Sequence, residues 1–127
     1  MSAMSLKAYD HIQGYLADRH QTTINQEDLN AILRLSQHLR IFGLLSAVGY
    51  INQQNAQGGQ VRERTVPAWK SLLIQQLGLN PDFTQRALMD HVIELQRNQP
   101  AQYLAQWRQA MVMSKHWNFW ARACAND

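Results

Sequence analysis

Between Pro100 and Cys124, residues Tyr103, Trp107, Ala110, Ser114, Trp117, Ala121 and Cys124 follow alternating steps of four and three. That spacing lays one stripe along an α-helix and predicts that the stripe is buried. The same periodicity elsewhere predicts about five helices: Ser5 to Arg19, Asn25 to Gln54, Val66 to Leu77, Pro81 to Arg97, and Pro100 to Ala123. Prolines stand at 67, 81 and 100, each placed to open a helix, where a fixed φ suits the first turn. Asn25 with Asp28, and Asn80-Pro81-Asp82, read as start signals, while Gly78 reads as a stop.

The second predicted helix changes character along its length. Asn30, Arg34, Gln37 and His38 share a polar side, whereas Ile41 to Ile51 is apolar almost all round. Its C-terminal half is therefore expected at the buried centre of a bundle and its N-terminal half partly exposed. Gly43, Ala47 and Gly49 are small enough to let a neighbouring helix approach closely. Between the second and third helices, Gln57 to Arg64 mixes glycines with charges and reads as a mobile loop.

No strand alternation, internal repeat or low-complexity tract interrupts this organisation. A length of 127 residues and 46% hydrophobic composition suit one all-α domain over 1–127, a compact bundle with a long central and a long C-terminal helix. The lone Cys124 excludes an internal disulfide and suits a reducing, cytoplasmic setting. The N-terminal residues have no signal-peptide layout, and Ile41 to Ile51 is too short to span a bilayer, so no membrane insertion is expected.

The search for chemistry is largely negative. None of the five histidines pairs with another at the spacing of a helical zinc motif, so no metal is expected and the histidines read as surface or capping residues. There is no nucleophile elbow, no glycine-rich phosphate loop and no cysteine with an evident catalytic partner. No catalytic residue and no cofactor are assigned. The tryptophans at 69, 107, 117 and 120 and the methionines at 111 and 113 read as core rather than as a ligand pocket.

Charge gives the one positive sign. The net charge is +3, and nine of the twelve cations are Arg, the residue suited to bidentate phosphate contact. Arg108, Lys115 and Arg122 recur at a spacing of seven, which places them within roughly 40° on one side of the last helix. Positions four residues before and after them carry Leu104, Val112, Met111, Phe119, Asn118 and Asn126, so no acid on that helix pairs with the row. The row is a candidate anion site, and Phe119 beside it is a candidate for base stacking or for packing. Arg34, Arg40 and His38 on the second helix, and Lys70 on the third, are further candidates.

Two segments together resemble the small helical subunit of type III-B, or Cmr-type, CRISPR RNA-guided effector complexes. One is Leu39 to Tyr50, where a Gly43-Leu44 pair precedes small residues and an aromatic. The other is Tyr103, Ala110, Trp117 and Ala121 with Lys115 and Arg122. The resemblance extends over nearly the whole chain. It implies a non-catalytic subunit stacked with copies of itself along the inner filament, touching guide RNA, target RNA, and the backbone and large signature subunits, in antiviral defence. Its phosphate contacts are then expected at Arg108, Lys115 and Arg122, and at Arg34, Arg40 and Lys70.

Two other classes stay open. A helical DNA-binding regulator would use a helix-turn-helix, for which Asn80-Pro81 after Gly78 offers a turn, although the next helix carries Asp82, Asp90 and Glu94. A purely structural interaction module would set the basic row against acidic protein surface.

Overall fold

The computed structural model describes residues 3–53 and 59–125, with the side chains of residues 59–64 excepted. Within them the chain folds as α1 (Ala3–Asp18), α2 (Gln26–Ile41), α3 (Leu44–Ile51), α4 (Gly59–Leu77), α5 (Gln85–Asn98) and α6 (Pro100–Ala123). No strand is present among the described residues; the nearest approach to one is a parallel bridge between Ile24 and Ala125. In it the Ile24 N–H donates to the Cys124 carbonyl at 2.8 Å, which ties the end of α6 to the α1–α2 connection.

The single long helix expected from Asn25 to Gln54 is two helices. Asn25 does cap α2, its side chain accepting from the Asp28 N–H at 2.8 Å. The break comes at Gly43, whose φ of +94° and ψ of 173° belong to a region that essentially only glycine enters. The Phe42 and Gly43 N–H groups both turn back to the His38 carbonyl, and α3 then sets off on a new axis. The expected burial holds for most of the apolar run and fails at the break. Leu44, Ala47, Val48 and Ile51 are fully buried, as are Ala31, Ile32, Leu35 and Leu39 on the apolar side of α2, whereas Ile41 and Phe42 are 69% and 64% exposed.

Two prolines fall differently from expectation. Pro67 lies inside α4, which begins at Gly59, so residues 59–64 are helical rather than loop; Gln57 and Gly58 lie outside the described residues. Pro81 sits in a turn where Asn80 Oδ1 accepts from the Asp82 N–H, and α5 starts only after Thr84, whose hydroxyl accepts from the Ala87 N–H at 3.0 Å. Pro100 does open α6. Gly78, with φ of +69°, ends α4 in a Schellman arrangement: its N–H returns to Gln75 and that of Leu79 to Ile74. His20 does the same for α1 with a φ of +55°.

Packing centres on α6, which lies along both α1 and α2, while α4 covers α1 and α2 and α3 covers α5. Within the predicted stripe, Ala110, Ser114, Trp117 and Ala121 are buried, and Tyr103, Trp107 and Cys124 pack half-buried around the same core. Each full burial of a large apolar side chain contributes about 1.5–3 kcal/mol before entropy is counted. The indoles also cross-link helices. Trp69 donates to the Ala31 carbonyl at 2.8 Å, Trp107 to that of Leu39 at 2.7 Å, and Trp120 to that of Ser5 at 3.0 Å. The histidines are not all surface residues, because His11 is buried within the helix bundle. Among the described residues no helix is long and apolar enough to cross a membrane.

Candidate nucleic-acid interface

Three of the six predicted contact residues share one groove. Arg40 of α2 and Arg108 and Lys115 of α6 line a depression of about 400 Å³ between those helices, with Met111 and Val112 on its wall and Ser36 and Ser114 in its floor. The helices explain the convergence. Ser36 and Arg40 are one turn apart on α2, while Arg108, Val112 and Lys115 succeed one another along a single ridge of α6. Where the two helices touch, the buried hydroxyls of Ser36 and Ser114 lie 3.4 Å apart. Ser114 donates to the Met111 carbonyl at 2.7 Å, which satisfies it without drawing on the groove.

The electrostatics of this groove are one-sided. Among the described residues, Arg40, Arg108 and Lys115 have no ion-pair partner, and all three are exposed. Cations lining a cleft with no carboxylate between them raise the local concentration of anions. Two guanidinium groups supply forked donors and Lys115 a compact charge, a set that matches phosphate oxygens.

The other predicted residues are placed apart from it. Arg122 is exposed in the last turn of α6, seven residues beyond Lys115, or about 10 Å along the axis, and does not line the groove. Lys70 is half-buried in a separate hollow of about 400 Å³ between α1 and α4, which it shares with Asp18 and Arg19. Arg34 lines a recess of about 300 Å³ on the far flank of α2 and donates to the Thr65 hydroxyl at 2.8 Å. Phe119 is 58% exposed and rests edge-on against Trp120, its neighbour in sequence, with ring centroids 5.0 Å apart.

Two features went unread in the sequence. One is the Ser36–Ser114 floor, since Ser114 looked only like a member of the buried stripe. The other is an aromatic group around the Arg34 recess. The ring of His38 lies 5.0 Å from Phe42, 6.2 Å from Tyr50 and 5.1 Å from Trp69, and Tyr50 and Trp69 lie 5.2 Å apart. His38 to Phe42 is an i,i+4 pair, a signal visible in the sequence, but the partners on α3 and α4 come from the tertiary fold.

Among the described residues no three His, Cys, Asp or Glu side chains gather where they could hold a metal ion. No protein-family model matches this chain, and comparison with curated proteins and with solved structures gave no match either.

Proposed function

We propose that this chain is a non-catalytic RNA-binding protein that holds the sugar-phosphate backbone in the groove between α2 and α6. The observation that carries this reading is the convergence of Arg40, Arg108 and Lys115 on one groove with no ion-pair partner among the described residues. Phosphate contacts position a nucleic acid without reading its sequence, so a rigid cationic groove is sufficient for the task and no reacting group is needed.

The setting we propose follows from the resemblance at Leu39 to Tyr50 and Tyr103 to Arg122. It is the small subunit of a type III CRISPR effector in the cytoplasm, folded as one domain over 1–127 and stacked on copies of itself. There it would meet guide RNA, target RNA, and the backbone and large signature subunits, in antiviral defence.

A second reading draws on the apolar residues that stand one turn from the cations of α6. Leu104, Val112 and Phe119 are 37%, 47% and 58% exposed, which favours a face that packs on acidic protein rather than on nucleic acid. The two readings separate in one experiment. Fluorescence anisotropy with labelled RNA is expected to show binding that weakens steeply with salt and is lost in the Arg108→Glu, Lys115→Glu double variant. RNA binding that ignores both salt and the double variant, alongside nuclease-resistant co-purification of an acidic protein, rules the first reading out and the second in.

A further inference from the structure

The recess on the other flank of α2 differs in kind from the cationic groove. Its walls are rings. His38, Phe42, Tyr50 and Trp69 surround it, Arg34 and Gln37 stand at its edge, and no carboxylate is among its lining residues. Its volume of about 300 Å³ lies at the lower end of the range for small-ligand sites. Resting on the RNA reading above, we infer that this recess takes one unpaired nucleobase of single-stranded RNA, with the aromatic group as the stacking surface and Arg34 on the flanking phosphate.

Three observations carry the assignment. First, Phe42 is 64% exposed although its ring lies only 5.0 Å from that of His38, so one ring edge is held by the fold while most of its surface faces solvent. A base laid on that ring covers apolar area that folding leaves wet. Phe42 is held there by the break between α2 and α3, since its N–H is fixed to the His38 carbonyl at 2.8 Å and Gly43 leaves the helical conformation directly behind it. Second, one hydrogen bond from Arg34 to Thr65 orients the guanidinium, which still has donors to offer an anion. Gln37, exposed at the rim, has both donor and acceptor for the edge of a base. Third, the His38 ring packs among the other three with centroids 5.0 to 6.2 Å away, and burial there disfavours its cationic form, against the opposing effect of its hydrogen bond with Ser46 at 3.0 Å.

The position of the recess relative to the groove decides what kind of RNA fits. Arg34, Gln37 and His38 line the recess, and Ser36 and Arg40 line the groove, so the same two turns of α2 serve both. Gln37 and Arg40 are about 60° apart around the helix axis, so one ridge of α2 stands between the two sites. A flexible strand crosses such a ridge with its phosphates in the groove and turns a base into the recess. An A-form duplex cannot, because its bases are stacked and paired inward.

The test compares a short fluorescein-labelled single-stranded RNA of mixed sequence with the same strand annealed as a blunt duplex, by anisotropy at one fixed salt concentration. The wild-type protein is expected to prefer the single strand. Phe42→Ala is expected to weaken single-strand binding about 5- to 150-fold, the range spanned by the loss of one base–aromatic stack, and to erase the preference over duplex. Phe42→Trp is expected to restore it and Phe42→Leu not to, which separates stacking from simple apolar cover. Circular dichroism melting accompanies each variant to show that the fold is intact. If Phe42→Ala binds the single strand within twofold of wild type while Arg108→Glu, Lys115→Glu abolishes binding, the recess assignment is wrong and the phosphate groove stands. If Phe42→Ala weakens binding and the double variant does not, the groove reading fails and the recess stands. Equal wild-type affinity for both RNAs also overturns the recess assignment.

Discussion

The indole N–H of Trp117 donates to Nδ1 of His11 at 3.1 Å, joining the middle of α6 to the middle of α1 with both side chains buried. The accepting nitrogen must be unprotonated. Burial, and after it the charge of Lys7, lowers the His11 pKa below 6.5, with Asp10 opposing. A lowered folded-state pKa means that the unfolded chain takes up the proton first as pH falls. Stability from this contact is therefore complete above pH 6.5 and is lost as pH falls through the lower folded value. Urea denaturation across this range is expected to show stability decreasing toward acid, with a shallower decline in His11→Gln, whose amide can accept but does not titrate. His38 contributes with the same sign, so His38→Gln is measured beside it. An unchanged pH profile in His11→Gln would sink this account.

Asp28 is 3% exposed, and the Tyr15 hydroxyl donates to its Oδ1 at 2.7 Å. Gln21 reaches its other oxygen at 3.3 Å, so the carboxylate is held from both sides. Burial and then the bond to Asp28 push the Tyr15 phenol well above its ordinary pKa, which keeps it a donor over the whole working range. Removing that donor in Tyr15→Phe leaves a buried carboxylate oxygen short of a partner and is expected to cost about 1–3 kcal/mol in chemical denaturation. A loss below about 0.5 kcal/mol would mean that Gln21 or water replaces the phenol at no cost.

Gly43 and Gly49 form an internal contrast. A Cβ at Gly43 would meet Trp107 at 3.5 Å, an ordinary contact, so the cost of Gly43→Ala comes from its φ of +94° and is expected at about 1–3 kcal/mol. Gly49 lies within α3 with nothing within 4 Å of the same added atom. Gly49→Ala is expected to stabilise by about 0.5–1 kcal/mol, because alanine loses less entropy in a helix. Thermal melts that move both variants in one direction would contradict this division.

The cationic groove makes a position-dependent prediction. Neutralising a residue that meets a phosphate reduces the slope of log affinity against log salt by about 0.7–0.9. Arg40→Gln, Arg108→Gln and Lys115→Gln are each expected to do so. Lys70→Gln, in the hollow it shares with Asp18, is expected to leave the slope alone, and Arg122→Gln to change it less than Arg40→Gln. Equal effects at all five positions would point to a diffuse field rather than to this groove.

The two ends of the chain were the most legible in the sequence. Helix α6 runs from Pro100 to Ala123 as predicted, and α1 falls within two residues of expectation, because each carries one amphipathic stripe between clear boundaries. The centre was less legible. An apolar run such as Ile41 to Ile51 has no polar face to reveal a change of axis, and Gly43 reads equally as a close-packing residue or as a reversal. Pro67 reads as a helix start because its fixed φ suits a first turn, whereas α4 already runs from Gly59 and carries Pro67 inside it. The seven-residue spacing puts Arg108 and Lys115 on one ridge of α6, and both line the same groove. It could not place Arg40 opposite them or separate Arg122, since both depend on where α2 crosses α6.

Helix α6 is anchored at both ends. At its start the Trp107 indole holds the Leu39 carbonyl and the Tyr103 hydroxyl accepts from the Leu45 N–H; at its finish the Cys124 carbonyl takes the Ile24 N–H. A rod fastened at two points can neither slide along its neighbour nor spin about its own axis. The spacing between the α2 backbone that carries Arg40 and the α6 backbone that carries Arg108 and Lys115 is thus set when the chain folds, and only the side chains are left to adjust to what lies between them.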